Sequence, residues 1–226
     1  MQAESNTQPK APPARKGRGG RPSAAQAGDV DRRILDAAQR LFLSQGFDLT
    51  NCEQVVAEAG AGKASLYARY ANKQELFTAV VQRNVDTMRS QPVDPIPPDL
   101  GVRERLRIAG NLILEHALRE QVVSLMRVVI SAAFRFPELA RLTDTIGRER
   151  GIQIAATAIA GDQAFKPDAM AQAILAATKF IDIAFVPFQM RAMLGDDLTT
   201  LAAEVPQAIN DAVELLGSGG WLKDWL

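Results

Sequence analysis

Residues 47–77, FDLTNCEQVVAEAGAGKASLYARYANKQELF, constrain the fold of this chain more than any other segment. Thr50 and Glu53 have the spacing of a capping box, which predicts a helix that begins there and ends at Gly60. A glycine-bearing turn follows, and then a second short helix over residues 63–70. Two short helices joined across such a turn predict a helix-turn-helix, a motif that places its second helix in the major groove of DNA.

The second helix of the pair has an apolar inner side and a polar outer side. Leu66 and Tyr70, four residues apart, are expected to face the protein. The outer side carries Lys63, Ser65, Tyr67 and Arg69. Such a cationic, hydroxyl-rich surface suits a helix that meets phosphate groups. Asn72 and Glu75 form a second cap-like pair, which predicts a connecting helix over residues 73–90.

The order of residues from Arg33 to Phe77 resembles the DNA-binding domain of TetR-family transcriptional regulators. The residues that carry the resemblance are Ile34, Leu35, Asp36, Ala37, Ala38, Leu41, Phe42, Gly46, Phe47, Thr50, Ala59, Gly60, Lys63, Leu66, Tyr67, Tyr70, Lys73, Leu76 and Phe77. The chain departs from the family pattern at Val55-Val56, at Ala61-Gly62 and at Arg69. Gly62 replaces a serine that caps the recognition helix, and glycine is also an acceptable N-cap.

This resemblance implies a partner, double-stranded operator DNA, and a set of contact residues. The expected DNA-binding residues are Thr50, Asn51, Gly62, Lys63, Ala64, Ser65, Tyr67, Ala68, Arg69, Tyr70 and Lys73. Within this set, Lys63, Tyr67 and Arg69 are expected to contact phosphates. Ala64, Ser65 and Ala68 are expected to approach base edges.

Residues 1–28 are rich in Pro, Gly, Ala and Gln and are predicted to form a disordered basic arm. Arg18 and Arg21 flank a Gly-Gly pair, and Arg21 precedes Pro22, as in an AT-hook core. A flexible arginine arm can enter a narrow minor groove, where the potential is most negative. The alternative is a solvated terminus without a partner. Residues 1–90 carry a net charge of +4 and residues 91–226 a net charge of −4, which favours phosphate binding by the N-terminal part.

The remaining sequence predicts an all-α protein, with an N-terminal three-helix helix-turn-helix domain and a C-terminal helical ligand-binding and dimerisation domain. Four prolines within residues 91–98 mark a linker between a domain at 29–90 and one at 101–217. The helices of the second domain are predicted at 102–118, 121–135, 137–160, 167–194 and 198–217. Residues 218–226 form a tail with two tryptophans. Pro187 is expected to kink the helix that contains it.

The run around residues 125–139 resembles the C-terminal domain of AefR-like members of the TetR family. This resemblance implies a pocket for a small-molecule effector. The candidate ligand-binding residues are His116, Met126, Arg127, Ile130, Ser131, Phe134, Asp182, Phe185 and Gln189. The alternative is that each is an ordinary core residue or a satisfied internal polar group. Asp182 lies in an apolar run and needs a partner if it is buried, for which Arg127 is the candidate.

The last two helices are also expected to form a homodimer interface. A dimer carries two helix-turn-helix units, here called readers, and two readers double the contacts on a palindromic site. The apolar residues assigned to that interface are Ile174, Leu175, Phe180, Leu201, Val205, Ile209, Val213 and Leu216.

The sequence contains no motif that indicates catalysis. One histidine and one cysteine are too few for a metal cluster, and no phosphate loop, dinucleotide fingerprint or zinc-protease motif is present. We therefore expect no enzyme activity, cofactor or metal. Cys52 is interpreted as a core residue, with a redox sensor as the alternative.

The N-terminus resembles no secretory signal, and no apolar run is expected to be long enough to cross a membrane, so a cytoplasmic protein is expected. The predicted function is a repressor that a hydrophobic or aromatic ligand releases from its operator. The alternative is an architectural or interaction protein that binds DNA without an effector.

Overall fold

The computed structural model describes residues 24–225, and every regular element in this range is helical. The predicted all-α class is confirmed. The ten α-helices are α1 (Ala24–Leu49), α2 (Cys52–Ala59), α3 (Lys63–Tyr67), α4 (Lys73–Ser90), α5 (Val102–Ala117), α6 (Glu120–Ser131), α7 (Pro137–Ala160), α8 (Pro167–Ala184), α9 (Val186–Leu194) and α10 (Leu198–Ser218).

Helix α1 differs from the prediction at both ends. It begins at Ala24, so residues 24–28 belong to this helix and not to the predicted arm. Near its other end the helix is broken at Gly46, which has φ 81° and ψ 174°. Glycine adopts such a positive φ without the steric cost that a side chain would add, so the chain can turn here toward α2.

The first helix of the reader is capped by Asn51, one residue later than predicted. The Asn51 side chain accepts a hydrogen bond from the Gln54 amide, and the Gln54 side chain accepts one from the Asn51 amide. The prediction of a capping box formed by Thr50 and Glu53 was therefore wrong. Thr50 is buried instead, and its hydroxyl donates to the Gly46 carbonyl at 2.8 Å, across the break in α1. The predicted cap at Asn72 is confirmed, since its side chain accepts from the Glu75 amide.

The predicted helix at 167–194 is divided into α8 and α9 at Phe185. Pro187 lies two residues beyond this point and explains the break, because proline lacks an amide proton and disfavours helical geometry in the preceding residue. By length and mean hydropathy alone, Pro167–Leu194 could span a bilayer. The interpretation that no apolar run was long enough was thus too strict. In this fold the segment contributes Phe180, Ile181 and Phe188 to the C-terminal core.

The two hydrophobic cores do not divide at the proline linker. The C-terminal core is built from α5, α7, α8, α9 and α10, and it also holds Val123 of α6 and Leu222 from the tail. The N-terminal core contains the expected residues of α1–α4, but it extends into α6 and the first half of α7. These additional members are Leu125, Val128, Val129, Ala132, Leu139 and Ile146. Helix α6 therefore contributes to both cores, with Val123 in the C-terminal one and Leu125, Val128 and Val129 in the N-terminal one.

An aromatic cluster joins the two domains at the α6–α7 corner. The ring of Phe136 lies 5.2 Å from that of Phe47 and 5.4 Å from that of Phe77, measured between centroids. Phe42 completes the cluster, 5.1 Å from Phe77. Beside it, Arg135 forms an ion pair with Asp48. Edge-to-face ring contacts of this kind add to the stability that burial supplies.

A buried arginine fixes the other end of the linker. Arg105 on α5 donates to the carbonyls of Ala158 (2.7 Å) and Ile159 (3.1 Å) in the last turn of α7. It also donates to the carbonyls of Pro98 (3.3 Å) and Leu100 in the linker. A cation that bonds the last carbonyls of a helix is favourably placed in the helix dipole.

Close packing in the C-terminal core generates a prediction at Gly110 on α5. A Cβ atom there would lie 2.6 Å from Cδ1 of Ile209 and 2.7 Å from Cζ of Phe180. We expect Gly110→Ala to lower the free energy of unfolding by about 1–3 kcal/mol, measured by urea denaturation. Gly147→Ala on α7 is the control, because its Cβ would meet only the sulfur of Met88 at 4.0 Å. That change should raise the stability by about 0.4–1 kcal/mol, and equal effects at the two sites would contradict the account.

Candidate nucleic-acid interface and ligand cavities

The exposed surface of the helix-turn-helix is centred on α3. Gly60 ends α2 in the left-handed conformation at φ 58°, and Arg33 of α1 donates to the carbonyls of Ala59 (2.8 Å) and Gly60 (3.2 Å). Leu66 is fully buried and anchors α3 to this support. The opposite side of α3 and its N-cap is exposed to solvent and carries Gly62, Lys63, Ala64, Tyr67 and Ala68, while Ser65 is half-buried. Small side chains around a lysine and a tyrosine allow close approach to a groove.

Lys63 is paired with a carboxylate in the free protein. Its ammonium group donates to Oε1 of Glu53 on α2, and both side chains are exposed. This hydrogen bond, followed by the charge of Lys63, holds the pKa of Glu53 below its usual value. The same bond raises the pKa of Lys63. Exposed ion pairs are weak, so a phosphate can replace Glu53 as the partner of Lys63.

Three other predicted contact residues hold the reader against its support. Arg69 donates to the Ser65 carbonyl at 2.7 Å, and its Nε lies 3.3 Å from the Asp31 carboxylate of α1. The Tyr70 hydroxyl donates to the same carboxylate at 2.9 Å. Lys73 donates to the Phe47 carbonyl at 2.9 Å, and its ammonium lies 4.4 Å from the centre of the Phe47 ring. These side chains orient α3 in the free protein.

The other N-terminal candidates have varied positions. Asn51 is an exposed N-cap and Thr50 is buried, as described above. Arg18 and Arg21 lie outside the described residues. Cys52 is half-buried and packs against the N-terminal core without being one of its buried members.

A cavity of about 220 Å³, here called the helical cavity, lies between α4, α5, α6, α7 and α9. Four of the nine predicted ligand-binding residues line it: His116, Met126, Phe185 and Gln189. Its wall also contains Met88 and Gln91 from the end of α4. The cavity therefore touches both the C-terminal core and the helix that leads to the reader.

The structure places the other five candidates away from this wall. Ile130 and Phe134 are 50% and 100% exposed, and the Ser131 hydroxyl donates to the Val128 carbonyl of its own helix. The predicted pairing of Asp182 with Arg127 was wrong. Asp182 is exposed and pairs with Arg148, and Arg127 donates to the Ala192 carbonyl at the end of α9. An apolar run surrounded Asp182 in sequence, but its position on α8 turns it outward.

A second cavity, about 570 Å³ in volume, was not predicted from the sequence. This linker cavity lies between α7 and the proline-rich linker, with Val93, Pro95, Ile96 and Pro98 on the linker side. The four prolines were a signal that could have located it, since they keep the linker extended and away from the helix surface. Arg150 and Ile154 of α7 line both cavities, so the two spaces adjoin.

Three arginines (Arg119, Arg148 and Arg150) and two carboxylates (Asp94 and Asp144) line the helical cavity together with His116. Burial lowers the pKa of His116, and the positive charges of Arg119 and Arg150 lower it further. His116 is therefore neutral at pH 7, and the arginines supply the charge.

The Tyr70–Asp31 contact generates a prediction that does not require DNA. Burial and the bond to Asp31 raise the pKa of Tyr70 from 10.0 to about 12. A raised pKa means that the fold favours the neutral phenol, so the stability it contributes is complete below pH 10 and is lost between pH 10 and pH 12.

Tyr70→Phe should remove this pH dependence and cost about 1 kcal/mol at neutral pH, measured by denaturation across the pH range. Tyr67 is the other tyrosine of the chain and is 51% exposed, so Tyr67→Phe serves as the control. A stability profile of Tyr70→Phe that still falls over this interval would contradict the assignment.

Comparisons with known proteins agree with this architecture. Residues 34–80 match the family described as bacterial regulatory proteins, tetR family. Residues 104–216 match the AefR-like transcriptional repressor C-terminal domain. A solved structure of the flavonoid-responsive regulator FrrA is similar with a TM-score of 0.61 and 28% identity, over 87% of this chain and 96% of that one.

Two curated relatives match over shorter lengths. The HTH-type transcriptional activator FasR of Mycolicibacterium smegmatis is 32% identical over 34% of this chain and 35% of its own. The HTH-type transcriptional repressor SCO4008 of Streptomyces coelicolor is 41% identical over 28% of this chain and 33% of its own. The chain thus spans only about a third of the length of these two relatives. The two family matches together cover most of the chain, which therefore belongs to the TetR family of transcriptional regulators, with a C-terminal domain of the AefR-like type.

Proposed function

We propose that this regulator binds operator DNA through α3 and represses transcription until a small hydrophobic or aromatic ligand enters its C-terminal domain. The observation that carries the proposal is the exposed face of α3, held on a buried Leu66 and bearing one lysine among small side chains. The match to the AefR-like transcriptional repressor C-terminal domain supports repression over activation. Such a protein acts in the cytoplasm, where its DNA lies.

The contact residues follow from what α3 exposes. We propose that Lys63 and Tyr67 bind phosphates and that Ala64, Ser65 and Ala68 approach base edges. Arg69, predicted as a phosphate contact, already bonds Asp31 and the Ser65 carbonyl, and we assign it to positioning α3. Arg18 and Arg21 remain the candidates for an arm in the minor groove.

Dimerisation is proposed through the exposed apolar parts of α8 and α10. Most of the residues first assigned to that interface are buried within the subunit, namely Phe180, Leu201, Val205, Ile209, Val213 and Leu216. This part of the prediction was wrong because these side chains fill the C-terminal core. Exposed apolar side chains on the two helices are Ile174, Leu175, Ile183 and Leu215. They are the ones available to a second copy.

The ligand is proposed to occupy the helical cavity and to extend toward the linker cavity. Their volumes together lie in the range of about 300–1,000 Å³ that is usual for small-molecule sites. The similar structure of FrrA belongs to a protein described as flavonoid-responsive, which supports an aromatic effector here. Ligand binding would lower DNA affinity if the liganded form holds its two readers at a spacing that no longer matches the half-sites.

The experiment that tests this function begins with genomic DNA fragments selected by the purified protein. We expect sequence-specific binding that a member of a flavonoid panel weakens about 5- to 150-fold, measured by fluorescence anisotropy. Operator DNA must then weaken binding of that flavonoid by the same factor. Binding that ignores sequence and every panel member would favour the architectural alternative.

Lys63→Ala should weaken binding to all DNA sequences alike and reduce the slope of log affinity against log salt by about one unit. Glu53→Gln should strengthen binding, because it removes both the competing partner of Lys63 and a negative charge near the phosphates. Lys166→Ala, which removes an exposed lysine just before α8, is the control and should leave the salt slope unchanged. A changed sequence preference with an intact slope in Lys63→Ala would reverse the assignment.

The double variant Leu175→Glu with Leu215→Glu should sediment as a monomer at micromolar concentration, because two carboxylates cannot be buried in an apolar interface without a large cost. Leu49→Glu, which changes a leucine 72% exposed in the helix-turn-helix domain, should remain dimeric. A monomeric unmodified protein that retains full operator affinity would refute the dimer.

A further inference from the structure

Arg150 on α7 stands where the two cavities meet, and its guanidinium is bonded to the end of α4. Its Nη1 donates to the Arg89 carbonyl at 3.2 Å, and its Nη2 donates to the Gln91 carbonyl. Across residues 24–225, Arg150 forms no ion pair with a carboxylate. A half-buried cation thus faces two ligand-sized spaces while neutral acceptors alone occupy its terminal nitrogens.

Other charged groups around Arg150 do not neutralise it. Arg105 also lines the linker cavity and is buried among backbone carbonyls, so it adds positive charge. The carboxylates that line the cavities are Asp94, Asp144 and Glu149, and all three are exposed to solvent. Exposed charges are screened by water far more than half-buried ones, so the positive groups dominate inside.

We propose that the effector is an organic acid, whose carboxylate or phenolate binds the guanidinium of Arg150. Its apolar body lies in the helical cavity against Met126, Ile154 and Phe185. This inference rests on the proposed function and names the chemistry of its ligand. Guanidinium groups bind planar acids through two parallel hydrogen bonds, which gives both affinity and orientation.

The same contact explains how the ligand would reach the reader. The carbonyls of Arg89 and Gln91 offer Arg150 only partial negative charge, whereas a carboxylate offers a full charge and two oxygens, so an acid displaces them from the guanidinium. The C-terminal end of α4 then loses two bonds that hold it on α7. Helix α4 carries Phe77 of the aromatic cluster at its other end, so its release changes the support of the reader.

The test uses matched pairs of an acid and its neutral amide: benzoate with benzamide, cinnamate with cinnamamide, and naphthoate with naphthamide. Calorimetry on the full-length protein without DNA measures each dissociation constant. We expect at least one acid to bind about tenfold more tightly than its amide. Equal binding within every pair, or no binding of any acid at millimolar concentration, would overturn the proposal.

Variants of Arg150 identify the residue responsible. Arg150→Gln keeps amide donors for the α4 carbonyls but removes the charge, and should abolish the preference for the acid. Arg150→Lys keeps the charge and should retain most of the preference. Arg141→Gln removes an exposed arginine from the same helix and should leave the preference intact. A preference that survives in Arg150→Gln would also overturn the proposal.

Hydrogen–deuterium exchange tests the release of α4. The tighter-binding acid should raise amide exchange over residues 85–91 of the unmodified protein, and its amide should not. Unchanged exchange would refute the release step.

If only amides release the operator, the proposed function stands and this inference fails. If the acid preference holds but no operator is bound, the site stands and the proposed function fails.

Discussion

The contact of Phe136 with Phe47 and Phe77 is the interaction on which the rest of the structure depends. It packs a partly buried residue from the α6–α7 corner against the core of the helix-turn-helix domain. The domain boundary in the sequence, at the proline linker, is therefore not a boundary in packing. Aromatic rings in edge-to-face contact cannot slide freely past one another, since the interior is close-packed. Motion of α6 or α7 must then be shared by the reader.

Helix α6 is a single layer between the ligand space and the reader. Leu125 and Val129 face the N-terminal core, while Met126 lines the helical cavity on the other side. A molecule that displaces Met126 would press on a helix whose opposite face supports α1 and α4. Helix α4 reaches the same cavity by a second route, through Met88 and Gln91. Two elements that touch both sites are a physical basis for coupling, whereas distance alone is not.

Local signals in the sequence predicted most of the helices, and long-range packing decided what they missed. Prolines and glycines located the linker, the start of α7 at Pro137 and the end of α2, because these residues act on the backbone next to them. The choice between Thr50 and Asn51 as N-cap depended on the break at Gly46, which buries Thr50. Whether Asp182 and Phe134 face the cavity or the solvent depends on neighbours that are far away in sequence. The ion pair of Arg69 with Asp31 of another helix was likewise invisible in the local sequence.

The pair formed by Lys63 and Glu53 has a consequence for how the protein searches a chromosome. Attraction to phosphate is the same at every sequence, so an unpartnered lysine on α3 would hold the protein equally on all DNA. While Glu53 occupies that lysine, each encounter must exchange a carboxylate for a phosphate, which reduces the gain from random contacts. The proposed contacts of the small residues on α3 with base edges would add energy only at a matching site. Under the proposed contacts, the internal pairing would weaken binding to all DNA alike, so the contacts of α3 with bases would supply a larger share of the binding energy.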